Sequence, residues 1–318
     1  MVRSSSLRYF LFSCLIACTV PLFHSQSSGV IKATPPSGVS YSAEGLAARD
    51  SASQSVLKQK ETDLRAALSQ QPNSPPLLFA LALVQRQEND PHASLDTYTH
   101  AAQFRKPTPQ ELRSVALDYV LLSDYDDAIH WLEVAVDLAP ADTEILYALG
   151  RCYYSKSRFA DAGKMYQRVL AIDPHNLKAE ENLGLVYDAT NHPVEAESAL
   201  RMAVSWSDAN GKDQWPFLDL GSFLVDHNRS NDAIAPLQIA AQIQPDSAAA
   251  HERLGRALLA TQQTSVGIAE LQQSAKLDEK NPKVHFELGR ALRQAGRSEE
   301  AKKEFEMSQQ LYATHSEE

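Results

Sequence analysis

The sequence repeats itself every thirty-four residues from Pro75 almost to its C-terminus, and this period constrains the fold more than any other feature. Periods of this size are typical of stacked structural repeats, in which each unit contacts mainly its neighbours. Seven periods align once the insertion 211–213 is allowed for between the fourth and the fifth. The predicted repeats are residues 75–108, 109–142, 143–176, 177–210, 214–247, 248–281 and 282–315.

Small residues recur at the eighth place of every repeat. They are Ala82, Ala116, Gly150, Gly184, Gly221, Gly255 and Gly289. The twenty-fourth place holds large residues instead, namely Tyr98, Leu132, Tyr166, Leu200, Leu237, Leu271 and Phe305. Apolar residues between these places follow a helical spacing, which predicts two closely packed helices per repeat. Prolines at the thirty-second place of three repeats (Pro140, Pro174, Pro245) indicate where the second helix ends.

This pattern resembles that of the tetratricopeptide repeat family, over about three quarters of the chain. The resemblance implies an all-α fold, a right-handed superhelical solenoid of stacked helix-turn-helix units. Because members of the family bind partners of many kinds, the resemblance does not identify the ligand.

The N-terminus has the features of a secretory or lipoprotein leader at residues 1–27. Arg3 and Arg8 precede a largely apolar run that is short for a membrane-spanning helix. Cys18 ends a run that resembles a bacterial lipobox and would then be lipidated, whereas residues 25–27 resemble a small-residue cleavage site. An uncleaved anchor is a third possibility. All three predict export, with the protein periplasmic, envelope-attached or secreted, and contact with a membrane only through the leader or a lipid anchor.

Two further segments precede the repeats. Residues 28–40 are rich in Ser, Pro and Gly, which predicts a flexible linker. Residues 41–74 show helical periodicity but a poor first helix, and we interpret them as a degenerate capping repeat.

Composition argues against several classes of function. The formal net charge of -10 disfavours binding to nucleic acid. No metal-ligand spacing, phosphate loop or catalytic constellation is present, so we expect no metal, no cofactor and no enzyme activity. Cys152 is expected to pack in a first helix rather than to react. His251 and His285 share the fourth place of adjacent repeats, where packing is expected and a shared ion is the alternative.

The resemblance also implies a ligand-binding groove lined by the first helices. Carried onto this sequence, the groove residues are Phe79, Arg86, Arg113, Tyr147, Arg151, Tyr154, Lys178, Trp215, Arg256, Phe286, Arg290 and Arg293. With Lys283, the cations at these places outnumber the acidic residues and give the groove a charge of about +3, which favours binding of carboxylates.

We therefore predict an exported, non-enzymatic scaffold that binds extended peptide segments of a protein partner in this groove. The alternative is a carrier or accessory protein that binds a polysaccharide there by stacking sugar rings on Tyr147, Tyr154 and Trp215. The family's clamp for C-terminal carboxylates is not expected, since Trp215 and Asp219 stand where it needs Lys and Arg. The sequence leaves the oligomeric state open.

Overall fold

The computed structural model describes residues 51–207 and 211–315, and these residues form helices with short connections. A first helix, α1, covers Ser51–Gln70. Seven helix pairs follow it along the chain. They are α2 (Pro75–Gln87) with α3 (Pro91–Ala102), α4 (Pro109–Leu121) with α5 (Tyr125–Leu138), α6 (Thr143–Ser155) with α7 (Phe159–Ile172), α8 (Leu177–Ala189) with α9 (Pro193–Trp206), α10 (Trp215–Asp226) with α11 (Ser230–Ile243), α12 (Ala248–Ala260) with α13 (Thr264–Leu277), and α14 (Pro282–Gln294) with α15 (Ser298–His315). This confirms the predicted all-α fold built from helix-turn-helix repeats.

The chain divides into two compact units, Met1–Pro174 and His175–Glu318. The N-terminal unit holds α1 to α7 and the C-terminal unit holds α8 to α15. Inside each unit a first helix packs against its own second helix and against helices of the preceding repeat. Each unit is thus a stack in sequence order, as expected for a repeat solenoid.

Side-chain caps fix where many of the first helices begin. The residue before the helix accepts a hydrogen bond from a backbone N–H of the first turn in five repeats, through Thr108, Asp142, Asn176, Ser247 and Asn281. These five residues occupy the same place, the last of each period. Such caps satisfy backbone donors that the helix cannot pair internally, which explains the constant register of the helices.

The turn inside each repeat also has a constant backbone conformation. Its fifteenth place has a positive φ in all seven repeats, between 58° and 78°, at Asn89, Ser123, Ser157, Asn191, Asn228, Gln262 and Gly296. Only the last of these is glycine. The left-handed conformation reverses the chain between the two helices of a repeat.

The small residues at the eighth place let the two helices of a repeat approach closely, as predicted. A Cβ added to Gly150 would lie 2.7 Å from Cε1 of Tyr166, and one added to Gly184 would lie 2.9 Å from Cγ of Leu200. Both large side chains are fully buried. Because these distances are below van der Waals contact, a larger residue would force the helices apart.

Two segments are irregular in sequence. Pro236 lies inside α11, yet α11 has fourteen residues, as many as α9 and α13, so the proline does not shorten it. Of the predicted capping repeat, residues 51–74 are described, and α1 is helical from Ser51 to Gln70. The described part of that segment is therefore one helix, which packs on α2.

Candidate functional site

The predicted groove residues of the N-terminal unit are largely packed or paired. Phe79 is only 6% exposed, and its ring lies 5.7 Å from that of Tyr98, with the Arg105 guanidinium 4.4 Å from its centroid. Arg113 donates to Glu144 of the next repeat at 2.8 Å. In this conformation Phe79 presents almost no surface to a ligand.

Three further predicted residues lie close together on α6. The Arg151 guanidinium is 6.0 Å from the centroid of the Tyr147 ring. Tyr154 is buried, and its ring meets the edge of Phe159 at 5.2 Å. Tyr154 therefore belongs to the repeat interior, while Tyr147 is half-buried.

A buried acidic residue adjoins Arg86 in the same unit. Asp118 is fully buried, and its Oδ1 lies 3.9 Å from Nε of Arg86. The other carboxylate oxygen lies 2.7 Å from the hydroxyl of Ser94. Burial raises the pKa of Asp118 to about 7, although Ser94 and Arg86 act in the opposite direction. Arg86 is thus engaged with the interior and leaves little charge for a ligand.

A second acidic cluster lies near Lys178 in the C-terminal unit. Glu181 and Asp219 are both buried. Burial, together with the neighbouring Asp219 carboxylate, raises the pKa of Glu181 well above its usual range, while Lys178 lowers it. Trp215 is half-buried and packs against the apolar core. Neither Lys178 nor Trp215 lines the two cavities formed at α12, α14 and α15.

Cations of the later first helices pair with carboxylates of neighbouring repeats. Arg256 lies 3.5 Å from Asp226 on one side and 3.9 Å from Glu287 on the other. Lys283 lies 3.2 Å from Glu252. Together with the pair of Arg113 and Glu144, these contacts already engage three of the predicted groove cations.

Two arginines of the last repeat have no carboxylate partner among the residues that the structure describes. Arg290 and Arg293 are exposed on α14, and neither forms an ion pair there. The guanidinium of Arg293 lies 5.4 Å from the centroid of the Phe305 ring. Phe286, on the same helix, is 47% exposed. Three of the predicted groove residues thus meet at one end of the C-terminal unit.

These residues line an open cavity of about 700 Å³ between α14 and α15. Its walls are Phe286, Arg290, Arg293, Phe305, Ser308, Gln309 and Tyr312. A smaller cavity of about 330 Å³ adjoins it and contains Arg256, Glu287 and Arg290. Burial, with the nearby Glu252, raises the pKa of Glu287, which weakens the negative charge on this side. The larger cavity combines aromatic surface with two unneutralised guanidiniums.

Sequence reasoning missed the half of this cavity that comes from α15. Phe305 was recognised only as a packing residue of the twenty-fourth place, and Ser308, Gln309 and Tyr312 were not considered. Only first helices were expected to face a ligand. The signal that could have found them is position, since no further repeat was recognised that would cover the second helix of the last one.

His251 and His285 do not share a site. Nδ1 of His251 lies 2.6 Å from Glu270 and its Nε2 lies 3.1 Å from the carbonyl of Pro245. His285 repeats this arrangement with Glu304 and the carbonyl of Glu279, at 2.7 and 3.1 Å. Each ring therefore ties its first helix to its own second helix and to the preceding turn. Among residues 51–207 and 211–315, no group of three or more His, Cys, Asp or Glu is placed to hold a metal ion.

Cys152 is buried, as its expected packing role requires. Burial raises the pKa of its thiol to about 12, so the reactive thiolate is strongly disfavoured.

The leader, Cys18 and the linker lie outside the described residues. Within the described ranges, none of the helices is both long and apolar enough to cross a lipid bilayer.

Comparison with known proteins agrees with this architecture. A tetratricopeptide repeat family model matches residues 116–176, 218–282 and 258–315, which together make up half of the chain. The protein belongs to the tetratricopeptide repeat family. No curated protein sequence matches the chain.

Solved structures resemble the fold at low sequence identity. A tetratricopeptide repeat protein from Parabacteroides merdae is 16% identical, with a TM-score of 0.61, and the match covers 84% of this chain and 98% of that one. The Cut9–Hcn1 hetero-tetramer of the APC/C (12% identity, TM-score 0.62) and yeast Tom70 (16%, 0.60) are matched over 80% and 81% of this chain. The chain spans 50% and 56% of their lengths. At such identities the likeness shows the fold alone.

Proposed function

We propose that this protein is an exported scaffold whose last repeat binds a segment of a partner protein that carries carboxylates and an apolar anchor. Proteins built from tetratricopeptide repeats are generally non-enzymatic and bind proteins or peptides. The observation that carries the proposal is the pair of unneutralised guanidiniums, Arg290 and Arg293, beside the exposed ring of Phe286.

The chemistry of this site favours an acidic and partly apolar ligand. A guanidinium can hold a carboxylate through two parallel hydrogen bonds, and an aromatic wall supplies contact area at a small cost in conformational entropy. The paired cations of the other repeats contribute less, because a ligand would first have to displace their own carboxylates. The bound segment is therefore shorter than the extended segment along the whole groove that the sequence predicts.

The polysaccharide alternative has less support. Tyr154 is buried, and Trp215 packs against the core of its unit, so two of the three rings expected to stack on sugars present little surface. Binding through stacking on neutral sugars would be insensitive to salt, whereas binding through Arg290 and Arg293 weakens as salt increases.

Selection from a random peptide library displayed on phage tests the proposed site. The intact protein is expected to enrich peptides that contain Asp or Glu together with apolar residues. Arg290→Glu combined with Arg293→Glu should abolish that enrichment. Lys276→Glu with Lys303→Glu is the matched control, since it changes the net charge equally at two exposed positions that line neither cavity. Equal enrichment by both double variants would contradict the proposal.

Export is tested separately by fractionating the cells that make the protein and determining the mass of its mature N-terminus. A lipidated Cys18, a start after residue 27 and an uncleaved leader are distinguished by this mass. Recovery only from the cytoplasm would contradict export without affecting the binding site.

A further inference from the structure

The cavity between α14 and α15 occupies the position at which, one repeat earlier, a helix is packed. In the preceding repeat, Leu271 and Ala275 of α13 are buried in one apolar cluster with Val284 and Leu288 of α14. Thirty-four residues later, Phe305 and Gln309 stand on α15 at the matching places, and both line the open cavity. The surface of α12 and α13 that packs against α14 thus corresponds to the surface of α14 and α15 that lines the cavity. No described helix packs against this second surface.

The ion pairs indicate what the missing helix would carry. Arg256 of α12 lies 3.9 Å from Glu287, the residue directly before Leu288 in α14. Arg290 occupies the place of Arg256 in the last repeat and lacks such a partner among the described residues. If another helix packed on α14 and α15 as α14 packs on α12 and α13, an acidic residue at the place of Glu287 would reach Arg290.

We infer that this end of the C-terminal unit binds an acidic amphipathic helix of another protein, in the position that the first helix of a further repeat would take. The inference rests on the proposed function and specifies the conformation and the pattern of the bound segment. The spacing of Val284, Leu288, Ala291 and Leu292 defines the apolar face, with residues at i, i+4, i+7 and i+8. An acidic residue at i+3 meets Arg290, and Arg293 donates to a second carboxylate one turn further along.

Charge favours a different protein over a second copy as the occupant. The chain has a formal net charge of -10, so two copies repel each other, while the cavity itself presents two positive groups and three aromatic rings. Phe286 and Tyr312 are 47% and 56% exposed, which leaves apolar surface for the occupant to cover.

The inference can be tested with synthetic peptides of about fifteen residues, a length at which a free helix is only marginally stable in water. The first peptide carries the apolar pattern with Glu at i+3 and is held helical by a side-chain lactam. The second has the same pattern with a central proline in place of the lactam, which prevents the helix. The third is the lactam peptide with Lys at i+3. Fluorescence anisotropy with the full chain measures each dissociation constant.

The lactam peptide with Glu is expected to bind at least about tenfold more tightly than either of the others, since one close charge pair or the loss of a preformed helix is sufficient for that factor. Arg290→Glu should reverse the preference, so that the Lys peptide binds more tightly than the Glu peptide. Unchanged helicity by circular dichroism checks that this exposed substitution leaves the fold intact, and Lys303→Glu should leave both affinities unchanged.

Two results would overturn the inference. If the proline peptide binds as tightly as the lactam peptide, the segment is not recognised as a helix, although the proposed function stands. If sedimentation equilibrium shows a dimer that Arg290→Glu dissociates, the occupant is a second copy rather than a partner. Failure of all three peptides together with an unenriched phage selection would remove the proposed function as well.

Discussion

The hydroxyl of Ser94 lies 2.7 Å from a carboxylate oxygen of Asp118 and 2.9 Å from the carbonyl of Ala82, and both side chains are fully buried. A hydroxyl has one hydrogen, so it cannot donate to both acceptors. If Asp118 is protonated, it donates to Ser94, and Ser94 donates to Ala82. Burial therefore favours a neutral Asp118 in the folded N-terminal unit, and the neutral form satisfies both hydrogen bonds.

This arrangement predicts that Asp118 destabilises the protein as pH rises. Burial raises the pKa of Asp118 from 3.8 to about 7, so the folded state binds the proton more tightly than the unfolded state does. The stabilising contribution is complete below about pH 4 and is lost as pH rises through 7, by up to about 4 kcal/mol. Asp118→Asn can still donate to Ser94 and does not titrate. We expect it to increase the free energy of unfolding at pH 8 and to change it little at pH 4.

Urea denaturation of the full chain at these two pH values measures the effect. Asp96→Asn on the exposed face of α3 is the control. An equal loss of stability at both pH values in Asp118→Asn would show that the charged carboxylate is required beside Arg86.

The contact between Gly184 and Leu200 predicts a change of sign in a double mutant. Gly184→Ala places a Cβ 2.9 Å from Cγ of Leu200, and overpacking of this kind costs about 1–3 kcal/mol. In the background of Leu200→Ala the nearest remaining atom is the carbonyl oxygen of Ala196 at 3.3 Å, and the higher helix propensity of alanine should make the same substitution stabilising by up to about 1 kcal/mol. Thermal or urea unfolding of the four proteins tests this, and an equal cost in both backgrounds would contradict it.

Pro236 predicts a stabilising substitution in α11. A proline in the helix interior has no N–H to donate to the carbonyl four residues earlier, at Asp232. Pro236→Ala should raise the free energy of unfolding by about 1–3 kcal/mol. Pro193 stands at the first position of α9, where no such bond is lost, so Pro193→Ala should change it by less than about 1 kcal/mol. A similar gain from both substitutions would point to general propensity instead.

The positive φ at the fifteenth place predicts opposite effects in two adjacent repeats. Gln262 adopts φ 64°, which costs a residue with a Cβ about 1–2 kcal/mol, so Gln262→Gly should be stabilising by up to about 1 kcal/mol. Gly296 adopts φ 78°, and an added Cβ would have nothing within 4 Å. Gly296→Ala should therefore be destabilising by about 1 kcal/mol through backbone strain alone. Thermal unfolding measures both, and no change in Gly296→Ala would exclude the strain.

The fold could be predicted because every repeat needs a small residue and a large residue at the same two places. Gly184 and Leu200, for example, have equivalents in the repeats before and after their own. A pattern that recurs in seven repeats seldom arises by chance. The positive φ of Ser123, Ser157 and Gln262 was not predicted. Serine and glutamine are not residues that signal this conformation, and it is imposed by the two helices on either side.

The candidate site was harder to predict, because the sequence does not reveal whether a carboxylate already pairs with a given arginine or lysine. Arg113 and Arg290 look alike in the sequence, yet Arg113 has Glu144 at 2.8 Å and Arg290 has no described carboxylate. The α15 wall was missed for a related reason. Phe305 has the same place as Leu271, and only the absence of a described covering helix exposes it to a ligand.

Because Arg253 and Arg256 pair with Asp226 of the preceding repeat, and Lys283 with Glu252, the inner charges of the C-terminal unit are settled locally between adjacent repeats. Under the proposed function, recognition therefore depends on α14 and α15 rather than on the charges of the repeats before them. If the proposed function holds, the gain or loss of a whole internal repeat during evolution leaves the specificity of this protein unchanged.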